Sequence, residues 1–238
     1  MLYSVSAAHS NRVNSTEVLP HGRVWKTAKT AKTLGPEWPS RTSQTLTFFR
    51  VEILSAFRDI GQLPGWKKNG GRARRYIIHE IFLMAELNET VATGLAAYYE
   101  YVAAQLHHWV DPLSNEQFWR KPYPYGNSIG HLVLHMTGNL NYYIGARIAE
   151  TGYVRDRDRE FTDKQPPAKD AALRAFDQTI AMVVGTIRKQ TANDWGKAYT
   201  AEREPEATDR MQIFVRCAGH AYHHVGQIVY LSRELART

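Results

Sequence analysis

Apolar positions recur at helical spacing over four long stretches of the chain, and no stretch alternates as a half-buried strand would. From residue 84 onward, every proline falls between these stretches or in the short connections beside them. A short helix is also predicted after Ser114, because Ser-Asn-Glu-Gln is a capping-box sequence. Long helices are predicted over about 85–110, 127–152 (with Asn127 or Ser128 as N-cap), 167–190 and 208 to the C-terminus.

Each of these helices carries one apolar stripe, so the pattern predicts an all-α protein built as a four-helix bundle. In such bundles, ligand sites are made by side chains on facing helices. The predicted stripes are Leu87, Val91, Leu95, Tyr98, Val102 and Leu106 on the first helix, and Leu173, Phe176, Ile180, Val184 and Ile187 on the third.

The second predicted helix places one histidine at the margin of its apolar face. An ideal helix turns by about 100° per residue, which puts His135 about 60° from Leu132 at the centre of that face. Asn139 lies nearer still, at about 20°, whereas His131 lies further out, at about 100°. His135 is therefore predicted to face the bundle, and His131 to lie at a pocket mouth or on the surface.

The fourth predicted helix carries three histidines that point in different directions. Relative to Ala221 on the apolar face, His224 lies at about 60° and His220 at about 100° on the same side. His223 lies at about 200°, and so points toward solvent. Gln227, at about 120°, continues the row of the two inward histidines.

His135, His220 and His224 can therefore meet inside a bundle. A single histidine is more often a surface residue or a hydrogen-bonded core residue, but three that converge and leave a coordination position open are typical of a catalytic metal site. Imidazole ligands suit zinc, nickel, iron or copper without choosing among them. The fourth helix lacks the glutamate of an HExxH metalloprotease, because Ala221 stands at that position.

Charge and cysteine content narrow the classes of function. The net charge is +7, but residues 1–83 hold 13 Lys and Arg against 5 Asp and Glu, whereas residues 84–238 hold 17 against 18. The helical region thus lacks the basic excess of a nucleic-acid-binding domain. Cys217 is the single cysteine, which excludes an internal disulfide and fits a reducing, cytoplasmic environment. Its inward position favours a small hydrophobic residue rather than a nucleophile.

Residues 1–83 show no sustained periodicity and are predicted to be a poorly structured basic extension. Three interpretations remain open. The first is an upstream extension read from an early start codon, with Met84 as the natural start. The others are a targeting presequence, since the segment is rich in arginine and poor in acids, and a basic arm that binds an anionic surface.

The segments NSIGHLVLHMTGNLNYYIG, GYVRDRDREF and HAYHHVGQIVYLSREL resemble the DinB/YfiT-like superfamily of bacterial four-helix-bundle proteins. The resemblance covers about residues 84–238, so the predicted domains are 1–83 and 84–238. It implies a divalent metal ion bound by His135, His220 and His224, with zinc or nickel preferred and iron as a further candidate. It also implies a small-molecule substrate, a low-molecular-weight thiol as possible co-substrate, and homodimers.

The resemblance favours an enzyme, either a thiol-dependent transferase or isomerase or a metal-dependent hydrolase. Asn139, Tyr142 and Gln227 are candidates to line its pocket, because they lie on or beside the histidine row. A non-catalytic, metal-binding or structural bundle is the alternative. Nucleic-acid binding through the basic first 83 residues is a third hypothesis. The charged run at 155–161 is expected to be a solvated loop with internal ion pairs, although it could hold an anionic group.

Overall fold

The computed structural model describes the backbone of residues 70–237 and the side chains of residues 76–237. Within this part of the chain the protein is all-α, as predicted, and its only β-pairing is an isolated bridge between Ala198 and Asp209. None of the helices in this range is both long and apolar enough to span a membrane. The helices are α1 (Gly70–Val110), α2 (Asn115–Trp119), α3 (Ile129–Leu140), α4 (Arg159–Thr162), α5 (Lys169–Arg188), α6 (Ala192–Trp195) and α7 (Arg210–Leu235).

The four long helices form the predicted bundle. Helix α1 packs against α5 and α7, and α3 packs against the same two helices, so the four enclose one core. Fully buried aromatic rings from α1, α2, α5 and α7 occupy that core: Tyr99, Phe118, Phe176 and Phe214. Burial of apolar side chains between the helices is the main force that holds such a bundle together.

Local hydrogen bonds fix where the helices begin. The side chain of Ser114 caps α2 and that of Ser128 caps α3, each in the reciprocal capping-box arrangement. The side chain of Asp209 accepts a hydrogen bond from the Gln212 amide and caps α7. This helix begins at Arg210, two residues after the predicted start at about residue 208. The predicted starts of α2, α3 and α7 are thus confirmed to within two residues.

The start predicted for the first helix is wrong, because α1 begins at Gly70 rather than near residue 85. Tyr76, Leu83 and Met84 in its first half are 67%, 53% and 53% exposed, and the first buried side chain is that of Ala92. The domain boundary at Met84 therefore lies inside a continuous helix and stays a prediction. Residues 70–83 of the predicted extension 1–83 form the first part of α1, and the remainder, residues 1–69, lies outside the described part of the chain.

The stripe predicted on α1 is also partly wrong, whereas the stripe predicted on α5 is confirmed in full. Leu87 and Tyr98 are exposed, and Ala96 and Tyr99 point into the core instead. The Tyr99 hydroxyl donates a hydrogen bond to the Phe214 carbonyl at 2.7 Å, which fixes the register between α1 and α7. Large apolar residues occur on both faces of α1, so periodicity alone does not identify its buried face.

The second long helix ends earlier than the predicted Gly152. After Leu140 the backbone continues as a π-helical segment, Asn141–Ala146, and then leaves the helix through left-handed residues at Glu150 and Gly152. A Cβ atom at Gly145 would lie 3.1 Å from Met182 of α5, so the absence of a side chain there allows close packing. This segment carries the chain out of the bundle toward the loop that precedes α4.

Candidate metal centre

His135 lies on the buried face of α3 and is 7% exposed. It stands one turn after His131, which has a different role. The His131 ring accepts a hydrogen bond from the Ser128 amide at 3.2 Å and completes the capping box of α3. The structure thus confirms that the two histidines of this helix face different surroundings, as the helical geometry predicted.

His220 and His224 lie one turn apart on α7, and both are half-buried. Their Nε2 atoms are 3.1 Å apart, and their ring centroids are 4.5 Å apart. His223, between them in sequence, is exposed, which confirms its predicted outward direction. The side-chain oxygen of Gln227 accepts a hydrogen bond from Nδ1 of His224 at 2.7 Å, and this leaves the Nε2 lone pair of His224 free.

The three histidines meet between α3 and α7. The His135 ring centroid lies 5.1 Å from that of His220 and 5.0 Å from that of His224. One ligand atom from each residue lies within 4.8 Å of the others, slightly wider than the roughly 4 Å expected for nitrogens around one ion. The predicted convergence is confirmed, and the cluster is a candidate metal site.

The surroundings of the cluster keep its α7 histidines neutral. Burial, together with the smaller effects of the neighbouring His224 and His135, lowers the pKa of His220 to about 3. Burial also lowers the pKa of His224, although the hydrogen bond to Gln227 opposes that shift. Neutral imidazoles are the form that binds a metal ion, because the ligand lone pair is then not occupied by a proton.

A buried ion pair, Glu160 with Arg155, contacts His135 at its Nδ1 atom. Nδ1 of His135 donates to Oε2 of Glu160 at 2.7 Å, and the Arg155 guanidinium donates to both oxygens of the same carboxylate, at 2.7 and 3.0 Å. Burial acts to raise the pKa of Glu160, but the hydrogen bonds from His135 and Arg155 outweigh it and leave that pKa below its ordinary value. The carboxylate is therefore ionised near neutral pH.

The expectation of a solvated loop at 155–161 is wrong for these two residues. The Arg155 and Glu160 side chains are only 9% and 7% exposed, whereas Arg159 pairs with Asp163 near the surface, as expected for an ordinary charged loop. The missed signal is Gly138 in α3. A Cβ atom there would lie 2.1 Å from Oε1 of Glu160, so only glycine admits the carboxylate at this position.

The three residues predicted to line the pocket differ in what the structure supports. Gln227 does contact the cluster, through His224. Asn139 is buried, and its side-chain oxygen has no hydrogen-bond partner among the described residues. Tyr142 is half-buried and packs edge-on against the Tyr143 ring at 5.0 Å. A pocket-lining role for Asn139 and Tyr142 stays a prediction.

Cys217 is the one inward thiol near the cluster, one turn before His220 on α7. It is 3% exposed, and burial raises the pKa of its thiol far above the ordinary range. A thiol that stays protonated is a poor nucleophile and a poor metal ligand. The prediction that Cys217 acts as a small core residue agrees with this environment.

The donor set fits a divalent metal ion. Two Nε2 atoms at 3.1 Å with free lone pairs repel each other unless a proton or a cation lies between them. Nδ1 of His220 is buried and has no partner among the described residues, so the one polar contact of this ring is that of its Nε2 with Nε2 of His224. His135, His220 and His224 are the residues that would hold the ion, and histidine ligands at about 2.1 Å leave further positions for other ligands.

The fold and the site together describe an all-α bundle that carries a candidate three-histidine metal site between two of its long helices. The chain belongs to the DinB superfamily, whose family model matches residues 98–228, more than half of its length. A solved structure described as that of the conserved protein of locus from Enterococcus faecalis is similar in fold, with a TM-score of 0.51 and 14% sequence identity. The similarity covers 61% of this chain and 97% of that one. No curated protein matches the chain.

Proposed function

We propose that this protein is a metal-dependent enzyme that uses a low-molecular-weight thiol, of the transferase or isomerase type. The observation that supports the proposal is the three-histidine cluster, whose two α7 members are neutral and half-buried, and so reachable from solvent. Zinc or nickel is the preferred ion and iron a further candidate, as the family resemblance implies, and neutral imidazoles suit all three. When bound, such an ion lowers the pKa of a thiol or a water molecule.

The absence of a proton acceptor in the cluster favours a thiol over water. Among the described residues, the group contains three imidazoles and no carboxylate. The nearest carboxylate, that of Glu160, is already bonded to His135 and Arg155. A free thiol loses its proton near pH 8.5, whereas bulk water does so only near 15.7, so the thiol requires less assistance from a general base.

The test compares the two reactions in one purified protein. Samples loaded with zinc or nickel are assayed for transfer of glutathione to 1-chloro-2,4-dinitrobenzene and for hydrolysis of p-nitrophenyl acetate. The proposal expects metal-dependent transfer that disappears in His220→Ala and persists in His223→Ala. Hydrolysis without transfer would favour the alternative, a metal-dependent hydrolase. Metal binding that raises the melting temperature with neither activity would favour a structural, non-catalytic bundle.

We also propose that two copies associate through a patch of three exposed tyrosines on α1 and α7. Tyr98, Tyr101 and Tyr222 lie with ring centroids within 6.2 Å of one another and are 38–46% exposed. Clustered exposed aromatic rings are typical of protein interfaces. Two substituted chains allow a matched comparison, Tyr222→Glu in the patch and Tyr125→Glu, whose side chain is exposed elsewhere.

The expected result is a dimer mass for the native chain and Tyr125→Glu, and a monomer mass for Tyr222→Glu, by analytical ultracentrifugation. A monomeric native chain would contradict the dimer. The remaining expectations, a small-molecule substrate and a cytoplasmic location, are part of the same proposal, because a thiol co-substrate and a free cysteine both suit a reducing compartment.

A further inference from the structure

The Glu160 carboxylate contacts one of the three histidines and neither of the others. It accepts from Nδ1 of His135 at 2.7 Å, and this bond leaves Nε2 of His135 as the unprotonated nitrogen. His224 has a neutral amide, that of Gln227, at the corresponding position. His220 has no partner at Nδ1 among the described residues. His135 is thus the one member of the cluster whose Nδ1 is bonded to a charged group of the described residues.

The arrangement around the carboxylate is buried and closely fitted. Arg155 donates to both of its oxygens, so the carboxylate is held in one orientation. The α3 helix has a glycine at the contact, since a Cβ at Gly138 would lie 2.1 Å from Oε1 and 2.9 Å from Cδ of Glu160. Glycine inside a helix costs about 1 kcal/mol relative to alanine. A buried ion pair is also weak evidence for stability, since hydrophobic replacements are often as stable.

We propose that Glu160, held by Arg155 and admitted by Gly138, is the positioning residue of the metal centre. It fixes His135 in the tautomer whose Nε2 faces His220 and His224, and it makes that nitrogen a stronger donor. A carboxylate behind a histidine ligand orients the ring and raises its basicity, and loss of such a partner typically lowers metal affinity by about 10- to 100-fold. This inference rests on the proposed metal-binding function.

The first test replaces the charge without changing the size. Glu160→Gln keeps an oxygen that can accept from His135, but its amide NH2 group must face the Arg155 donors. We expect zinc affinity, measured by competition with a chromophoric chelator, to fall about 10- to 100-fold. Asp163→Asn is the matched control, because it removes the carboxylate that pairs with Arg159 in the same loop and does not contact His135. Its zinc affinity should equal that of the native chain.

The second test moves the carboxylate without altering it. Gly138→Ala places a methyl group where Oε1 of Glu160 lies, so the carboxylate must withdraw from His135. Gly185→Ala, on α5, is the control, because a Cβ there meets no atom within 4 Å. We expect Gly138→Ala to lose affinity as Glu160→Gln does, and Gly185→Ala to keep it. Circular dichroism establishes that each variant is folded, and the pair remains informative if one variant does not fold.

A readout on metal-free protein separates this inference from the proposed function. Nitrogen-15 chemical shifts of histidine side chains distinguish the two neutral tautomers. The native chain should show His135 protonated at Nδ1, and folded Glu160→Gln and Gly138→Ala should show a mixture. A uniform Nδ1 tautomer and unchanged zinc affinity in both variants would overturn the positioning role. A native chain that shows the tautomer but binds no metal ion would refute the proposed function. It would leave intact the inference that Glu160 positions His135.

Discussion

Replacement of His224 by alanine is expected to abolish metal binding. Nε2 of His224 lies 3.1 Å from Nε2 of His220, and its ring lies 5.0 Å from that of His135, so its loss leaves only two imidazoles to hold the ion. The measurement is the metal content of the purified variant after dialysis, by plasma mass spectrometry. We expect about one ion per native chain and almost none in His224→Ala.

His223→Ala is the matched control on the same helix. His223 is exposed, and its nearest polar contact is the side chain of Gln227 rather than the cluster. Its removal should leave metal content near that of the native chain. Metal retained in His224→Ala and lost in His223→Ala would contradict the assignment of both residues and, with it, the candidate site.

Acid is expected to destabilise the metal-free protein from about pH 6.5 downward. The folded pKa of His220 is lowered to about 3, whereas an unperturbed histidine in the unfolded chain has a pKa near 6.5. Between these values the unfolded state binds the additional proton, so the free energy of unfolding falls as the pH falls. One such group contributes at most about 1.4 kcal/mol per pH unit in this window. Urea unfolding at pH 7, 5.5 and 4.5 measures the slope.

The His220→Gln variant isolates the contribution of this residue from that of the carboxylates. The pKa of Glu160 is also lowered, so its contribution to the free energy of unfolding decreases as the pH falls. The slope of the native chain therefore reflects more than one group. Glutamine does not titrate, and the slope of His220→Gln should therefore be shallower than that of the native chain. Equal slopes in the two chains would show that burial of His220 does not govern the acid response.

Helical geometry was sufficient to predict the three histidines, because each lies on a regular helix whose apolar face is clear. His135 on α3 and the pair on α7 needed only the turn per residue and the position of Leu132 or Ala221. The same reasoning failed on α1, where Leu87 and Tyr98 are exposed although they lie at helical spacing. Apolar residues that serve an exposed surface are indistinguishable, in periodicity, from those that serve the core.

The buried ion pair of Arg155 and Glu160, which contacts His135, could not be predicted in this way. Arg155 and Glu160 come from the segment between the π-helical turn and the short helix α4, and the path of an irregular segment is set by tertiary packing. Alternating arginine and aspartate at 155–159 favours a solvated loop, and most of that run does lie at the surface. Gly138 was the one local indication, but a glycine inside a helix does not by itself show close approach by another group, since Gly185 of α5 meets no atom within 4 Å.

The site joins helices that are distant in the chain. His135 is on the second long helix and His220 on the last, and the two helices pack directly against each other. A metal ion held there would cross-link two segments that are far apart in the chain. The unfolded chain does not bring the three histidines together in a preformed site. Ligand that binds only the folded state stabilises it by about 2.7 kcal/mol at 100 times its dissociation constant. The supply of metal in the cell would then govern how much folded protein persists, as well as how much of it is active.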